Sequence, residues 1–406
     1  MPWSKTTNED QRRRLIIELQ KPDCNVSSLC REFGISRKTA YKWKARFKAK
    51  DADCLRDRSK KPCSSPNAYD SQWRSRLRQE RKEHPSWGPK KLNKCLRDSI
   101  PEGAKAPSVA TLARWLREEK LTGRASRRSR RGPQVEAPKG LPASGPNDVW
   151  TVDFKGWRRM SPGSRCEPLT VRDLHSRYIL GVFLLKSQSD REVRRCFLKL
   201  FEKYGLPKAI KSDNGAPFGG KGPLGLSRLS VWWLRLGIKV EFSRPGHPED
   251  NAGHEQMHRV MEAEAVRGAG NNLRAKNRRM TYWVKEYNFE RPHEALGQNP
   301  PSLIYQPSSR RHCGEPQKLE YGSEYEVRRV RNRGTIKWKG RLWFLGRAFV
   351  GESMGLKEGS LGVQKVYLGD LLVGELHERD PGGMRPARWV RKGRPQQKPE
   401  KVPCEN

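Results

Sequence analysis

The sequence predicts a multidomain protein with an all-α front, an α/β centre and a small all-β barrel towards the end. Three observations carry this. Up to about residue 120, apolar residues recur at helical spacing and capping residues stand in front of them. From residue 148, short strand-like runs alternate with helices, the pattern of a mixed α/β layer. Between about 320 and 380, short β-rich runs are separated by glycines and show no helical period. The 406 residues leave room for several domains. The divisions read as 1–55, 56–122, a linker at 123–147, 148–305, 318–380 and a tail at 381–406.

A first helix is expected over 6–20, with Leu15, Ile16 and Leu19 on one side. The stretch Val26 to Phe47 has helix-turn-helix grammar. Leu29 and Phe33 point inward, Gly34 permits the turn, Ile35 plugs the core and Ser36 caps the next helix. Tyr41 or Ala40, with Trp43 and Phe47, packs that second helix. Arg37, Lys38, Lys42 and Arg46 then face outward, towards a groove. A second unit follows: a charged helix at 70–83, a helix opened by Trp87-Gly-Pro-Lys-Lys-Leu with its proline at an early position, and a third capped by Ser108. Trp87, Trp115 and the leucines read as core. Lys90, Lys91 and Arg114 are its candidate DNA contacts, on charge and on adjacency to the first unit. The linker places Arg127, Arg128, Arg130 and Arg131 among Ser and Gly ahead of four prolines, where they can lie on a phosphate backbone.

In the centre, strands are expected at 148–155, 167–173 and 177–185, a helix at 189–204 and a strand at 208–211. A helix holding Trp232, Trp233 and Leu236 leads to a strand near 238–242. Further helices start around 251 and span about 280–290. The final β region is read from Glu326-Val-Arg-Arg-Val, Ile336-Lys-Trp, Leu342-Trp-Phe-Leu, Val363 to Leu368 and Leu371-Leu-Val, about five strands with Trp338 and Trp343 inside. Beyond 380 the chain is basic and Pro/Gly-rich, and disorder is expected.

Charge narrows the partner. The formal net charge is +39, and residues 1–131 hold 35 Lys and Arg against 15 Asp and Glu. Each phosphate neutralised by Lys or Arg releases condensed counterions, so a polyanion such as DNA is the expected partner. Basic residues are spread along the chain rather than on one amphipathic segment, which argues against an anionic membrane. No apolar run approaches the ~20 residues of a membrane span. The nine cysteines form no Cys-x-x-Cys pair, so a reduced cytoplasmic setting and no structural zinc are expected.

Three acids stand where a divalent cation would sit beside a phosphodiester. Asp153 lies in the strand-like Trp150-Thr-Val-Asp-Phe-Lys, Asp213 opens the turn Asp-Asn-Gly after a strand, and Glu255 starts a helix after Pro245-Gly-His-Pro-Glu-Asp-Asn-Ala-Gly-His. Hard cations favour carboxylate oxygens, and two ions about 3.5–4 Å apart can serve both the attacking and the leaving oxygen.

Taken in order, Trp150 to Lys155, Pro168 to Asp173 with Ser176-Arg-Tyr178, Ser212-Asp213-Asn-Gly, Pro245 to Arg259 and Glu290-Arg-Pro-His-Glu-Ala-Leu296 make this chain resemble the DDE transposases of bacterial insertion sequences. The resemblance covers roughly 5–380. It implies an RNase H-like core similar to retroviral integrase, behind helix-turn-helix domains. It also implies Asp153, Asp213 and Glu255 as catalytic and metal ligands and two Mg²⁺ ions, with Mn²⁺ able to substitute. The implied partners are transposon ends and target DNA, held by a homodimer or larger synaptic assembly in the cytoplasm, near the nucleoid.

Two positions need argument. Glu249 stands nearer the family's usual distance from the second aspartate. Glu255, however, is seven residues beyond Pro248, as the integrase pattern requires, and a helical carboxylate is held more rigidly than one in a Pro/Gly loop. The extra residues fit an enlarged loop at 218–225. Family members carry Lys or Arg seven residues after the catalytic Glu, where this chain has Glu262, and Arg259 remains on that face to meet DNA. Glu262 keeps open an alternative reading, a catalytically impaired DNA-binding protein or repressor. His254 and His258 are expected as helix-surface or supporting residues, and Asp173 as a local cap or the partner of Arg172 or Arg177.

Overall fold

The computed structural model describes residues 7–48, 54–57, 69–99, 106–122, 141–156, 158–159, 165–244, 246–266, 272–316 and 318–387. They fall into two compact units, Met1–Asp70 and Ser71–Asn406. The linker arginines Arg127, Arg128, Arg130 and Arg131 and the chain beyond 387 lie outside the described residues.

The first unit is three helices: α1 (Asn8–Leu19), α2 (Val26–Glu32) and α3 (Arg37–Lys48). Thr7 and Asp10 cap α1 reciprocally. Asn25 caps α2, and Ser36 Oγ accepts the Thr39 N–H at 3.2 Å before α3. Gly34 takes a left-handed φ of +61° in the turn. Leu15, Ile16, Leu19, Leu29, Cys30, Ala40 and Trp43 form the core. Ala40 is buried, whereas Tyr41 is exposed. Phe47, expected to pack, is also exposed: α3 has 12 residues against 7 in α2, so its last turn runs past the shared core.

The second unit opens with α4 (Ser71–Glu83), α5 (Pro89–Asp98) and α6 (Val109–Glu118). Leu77, Trp87, Leu92, Leu96, Leu112, Trp115 and Leu116 are buried. A sheet follows, built from β1 (Val149–Phe154), β2 (Arg158–Arg159), β3 (Arg165–Asp173), β4 (Ile179–Leu185), then, after α7 (Asp190–Tyr204), β5 (Ala209–Ser212) and, after α8 (Arg228–Arg235), β6 (Lys239–Phe242). Its order is β2-β3-β1-β5-β6, with β4 on β3. β1, β3 and β4 pair antiparallel, as hairpins do. β5 and β6 run parallel to β1 because the intervening helices α7 and α8 make the crossovers. The helices α9 (Ala252–Met261) and α10 (Leu273–Phe289) complete this part.

Strand alternation decides which side each helix covers. Trp150, Val152, Leu169, Val171 and Leu180 pack with Phe197, Phe201, Trp232 and Trp233 of α7 and α8. Ile179 packs instead with Met257 and Met261 of α9 and Met280, Trp283 and Tyr287 of α10. Asp153, one step out of phase with Val152, therefore belongs to the α9 side.

The all-β region comprises β7 (Tyr325–Arg329), β8 (Thr335–Trp338), β9 (Arg341–Phe344), β10 (Ser353–Glu358), β11 (Val363–Leu368), β12 (Leu371–His377) and β13 (Arg385–Pro386). Five of these form an antiparallel sheet, β13-β12-β11-β10-β7, and β8-β9 is a separate ribbon. Sheet and ribbon enclose Trp338, Trp343, Phe349, Met354 and Leu356. β13 carries the sheet past the expected boundary at 380. The loop expected to be an insertion is part of the packing. Leu224 and Leu226, with Val231 of α8, belong to this same core, and Arg235 pairs with Glu352 at 3.0 Å. Among the described residues no helix is long and apolar enough to cross a membrane.

Candidate active site

The parallel pairing of β1 with β5 sets Thr151 beside Lys211. Two residues further along each strand come Asp153 and Asp213, at one edge of the sheet, the carboxyl end of parallel strands where α/β proteins hold their ligands. Asp153 is pushed up to about 6, first by burial, with the charges of Asp213 and Glu255 adding to it and a hydrogen bond from Asn251 opposing it. Asp153 thus feels the charge of the other two acids, although the oxygens of the three do not all lie within 4.8 Å of one another. Burial also raises Asp213, against the pull of the Gly215 N–H. Glu255 is exposed on the first turn of α9. Glu249 is engaged elsewhere, 2.6 Å from His247 and 3.6 Å from Arg244, and Asp250 pairs with Arg244 at 3.0 Å.

Several supporting residues escaped the sequence reading. Asn251 Nδ2 donates to Asp153 Oδ2 at 2.8 Å, tying the run-in of α9 to β1. His258 lies 2.8 Å from Thr170 Oγ1 and 3.8 Å from Asp153 Oδ2, and Thr170 Oγ1 donates to the Asp153 carbonyl. His254 and His258 are both buried, so of the two expected placements the helix surface falls and the supporting one stands. Their period with Met257 and Met261 (steps of three, four and seven) is the signal that would have shown it. Burial first, then Arg172, holds His254 well below the ordinary imidazole range, so it stays neutral. Arg172 is buried and donates to the Gly253 carbonyl at 3.0 Å. A Cβ on Gly253 would sit 2.2 Å from Arg172 Nη2, so only glycine admits the guanidinium there. Asp173 is a local cap, but its partners are Ser176 (N and Oγ, both 2.7 Å) and the Asn147 N–H (2.8 Å) rather than an arginine.

Comparison with known proteins matches several stretches of the chain. Family models for an integrase core domain match residues 143–248 and 236–301. A helix-turn-helix model matches 11–62 and a homeodomain-like model 39–116. The C-terminal domain of IS481 family transposases matches 325–379. Stretch by stretch, the chain is similar to integrase cores and to proteins of bacterial insertion sequences.

Similar proteins include an uncharacterised 31.7 kDa protein of insertion element IS407 from Burkholderia multivorans, 28% identical over 47% of this chain and 66% of its own length. An IS476 protein of Xanthomonas euvesicatoria is 28% identical over 56% of this chain and 63% of its own. The transposase of IS904 from Lactococcus lactis is 28% identical over 39% and 61%. The chain thus spans just under two thirds of the length of these relatives. Among solved structures, the HTLV-2 integrase catalytic core determined with magnesium is 16% identical, covering 40% of this chain and 99% of its own, with a TM-score of 0.33. A simian T-cell lymphotropic virus intasome bound to the PP2A subunit B56 gamma is 13% identical over 78% of this chain and all of its own, at 0.35.

The candidate DNA contacts fall in different settings. Arg37, Lys38 and Lys42 are exposed on α3, while Arg46 is half-buried over the Trp43 ring at 4.7 Å. Arg114 is exposed, 3.8 Å from Glu118, and Arg259 is exposed on α9. Lys90 pairs with Glu294. Lys91 is half-buried, and burial, then the charge of Arg291, lowers it to about 8. These lysines belong to a contact between α4–α5 and the core. His84 Nδ1 lies 2.9 Å from Glu286, and Ser86 donates to Glu264. Glu264, in a π turn at Glu262–Val266, also accepts from Arg291 and from Trp283 Nε1 at 3.0 Å.

Proposed function

We propose that this chain binds the ends of its insertion sequence and catalyses DNA cleavage and strand transfer at Asp153, Asp213 and Glu255. The observation that supports it is Asp153, raised to about 6 first by burial and then by the charges of Asp213 and Glu255, carboxylates drawn from the end of β5 and from α9. Such a donor set fits a hard divalent cation, because like charges forced together are relieved by one. Asp153, Asp213 and Glu255 would hold Mg²⁺, two ions by analogy with this class of chemistry. When bound, these ions stabilise charge on the attacking and leaving oxygens.

The protein's own side chains then position. Asn251 fixes the Asp153 carboxylate, and His258 and Thr170 back it from within. Arg172 braces the first turn of α9, so that Glu255 keeps its aim. Arg259, one turn on, is set to meet a phosphate. Water attacks a phosphodiester at the element's end and frees a 3′-OH. That hydroxyl attacks a target phosphodiester in turn, and each displacement forms one P–O bond as it breaks another. Two ends must be joined, so a dimer or larger assembly is the proposed acting form.

Incubating the protein with DNA carrying its element's ends, in Mg²⁺ or Mn²⁺, tests this. Cleavage and joining are expected from wild type and Glu249→Gln, and neither from Asp153→Asn or Glu255→Gln. Binding without cleavage by wild type in either ion would leave a DNA-binding repressor instead. Cleavage surviving in Glu255→Gln would reassign the third acid.

A further inference from the structure

The outer face of α10 plays no part in the site. Its inner face is spent on Met280, Trp283 and Tyr287. Opposite them, Arg274, Arg278, Thr281 and Lys285 repeat at steps of four, three and four, a single line along the helix some 16 Å long. They are exposed and, with Leu273, Asn277 and Tyr282, form a shallow, open surface along one side of the helix. Tyr282 is 58% exposed and its ring lies 5.4 Å from the Arg279 guanidinium.

Two features set this face apart from an ordinary solvated one. Solvated helix faces interleave charges of both signs, since opposite charges at four-residue spacing help the helix and like charges hurt it. Here the chain between Glu264 and Glu286 holds six Lys and Arg and no acid. Arg274 and Arg278 are like charges one turn apart. Moreover, neither of these nor Lys285 has an ion-pair or hydrogen-bond partner among the described residues. The line of cations is left for something outside the chain.

We infer that α10 seats the phosphate backbone of a DNA duplex, a tract additional to the strand at the carboxylates; this rests on the DNA-transferase reading above. Three cations and one hydroxyl donor at near-even steps along the helix match a regular line of phosphates. A second copy of the same face is a poor occupant, because a two-fold contact sets each patch against itself and would oppose cation to cation.

The test is the salt dependence of binding of a fluorescein-labelled 30-bp duplex to the full chain without divalent metal. Wild type is compared with Arg274→Gln/Arg278→Gln/Lys285→Gln. A control removes three exposed cations elsewhere, at Lys203, Lys239 and Arg311. Each lost phosphate contact lowers the slope of log K against log salt by about 0.9. The α10 variant is therefore expected to lose a slope of between two and three and to bind at least tenfold more weakly in moderate salt, with its circular dichroism unchanged. The control should lose less than one. Equal losses in variant and control, or no loss in the variant, overturn the inference. So does a changed assembly mass with an unchanged slope, which would make the face a contact between copies. Wild type that binds no duplex would instead defeat the transferase reading itself.

Discussion

Asp153 gathers most of the local physics into one side chain. In metal-free protein its folded pKa is about 6, against about 3.9 for an unfolded aspartate. The folded state therefore takes up this proton first as pH falls. The contribution to stability is full below pH 4 and is lost as pH rises through 6, a difference of roughly 3 kcal/mol. Asp153→Asn removes that titration, so in chelator at pH 8 the variant should outlast wild type in urea, and the gap should close near pH 4.5. A variant no more stable than wild type at pH 8 would show that burial and the neighbouring acids do not hold Asp153 at that raised value. The three acids stand out in the sequence because carboxylates at strand ends and at a helix start suit a hard cation. The contacts of Asn251 and Arg172 are not legible there, since they exist only once α9 lies across β1 and β3, whereas the sequence already offers His258 as a supporting residue.

The π turn after α9 and the helices α4 and α5 meet at Glu264, and this junction makes the second helical region part of the core's own structure. Glu264 serves donors from three segments, and Arg291 is left buried without it. Losing one member of such a pair costs about 3–5 kcal/mol. Glu264→Ala should lower the unfolding midpoint accordingly and open 71–121 to brief proteolysis under native conditions. Wild-type resistance in the variant would mean that these contacts carry no load. Gly253→Ala is predicted to displace Arg172 and to reduce DNA cleavage more than DNA binding, read from the two assays side by side; equal losses would place its effect outside the site. Periodicity found nearly every element, yet it started α10 seven residues late, because Asn272 is a cap in a stretch without apolar rhythm. It missed β10 because Gly355 interrupts the strand pattern. That glycine is there for Tyr321, whose ring lies 2.5 Å from where a Cβ would be.

Across the whole molecule, the catalytic and all-β parts share one core through Leu224, Leu226 and Val231. That union was invisible in the sequence, where the loop looked like tolerated excess and the β region like a free module. Leu226→Asp should destabilise both parts in one transition, followed by tryptophan fluorescence and by cleavage activity together. Two separated transitions would restore the picture of independent modules. The shared core also has a consequence during protein synthesis. A ribosome that has finished the three acids has still made only a chain whose Leu224 and Leu226 face water. Those residues find cover only after the strands at 325–377 emerge. A copy of the gene broken by a late stop codon would thus encode every residue of the proposed chemistry and still yield a product exposed to aggregation and proteolysis. Interrupted copies would fall silent through quality control rather than through loss of the carboxylates.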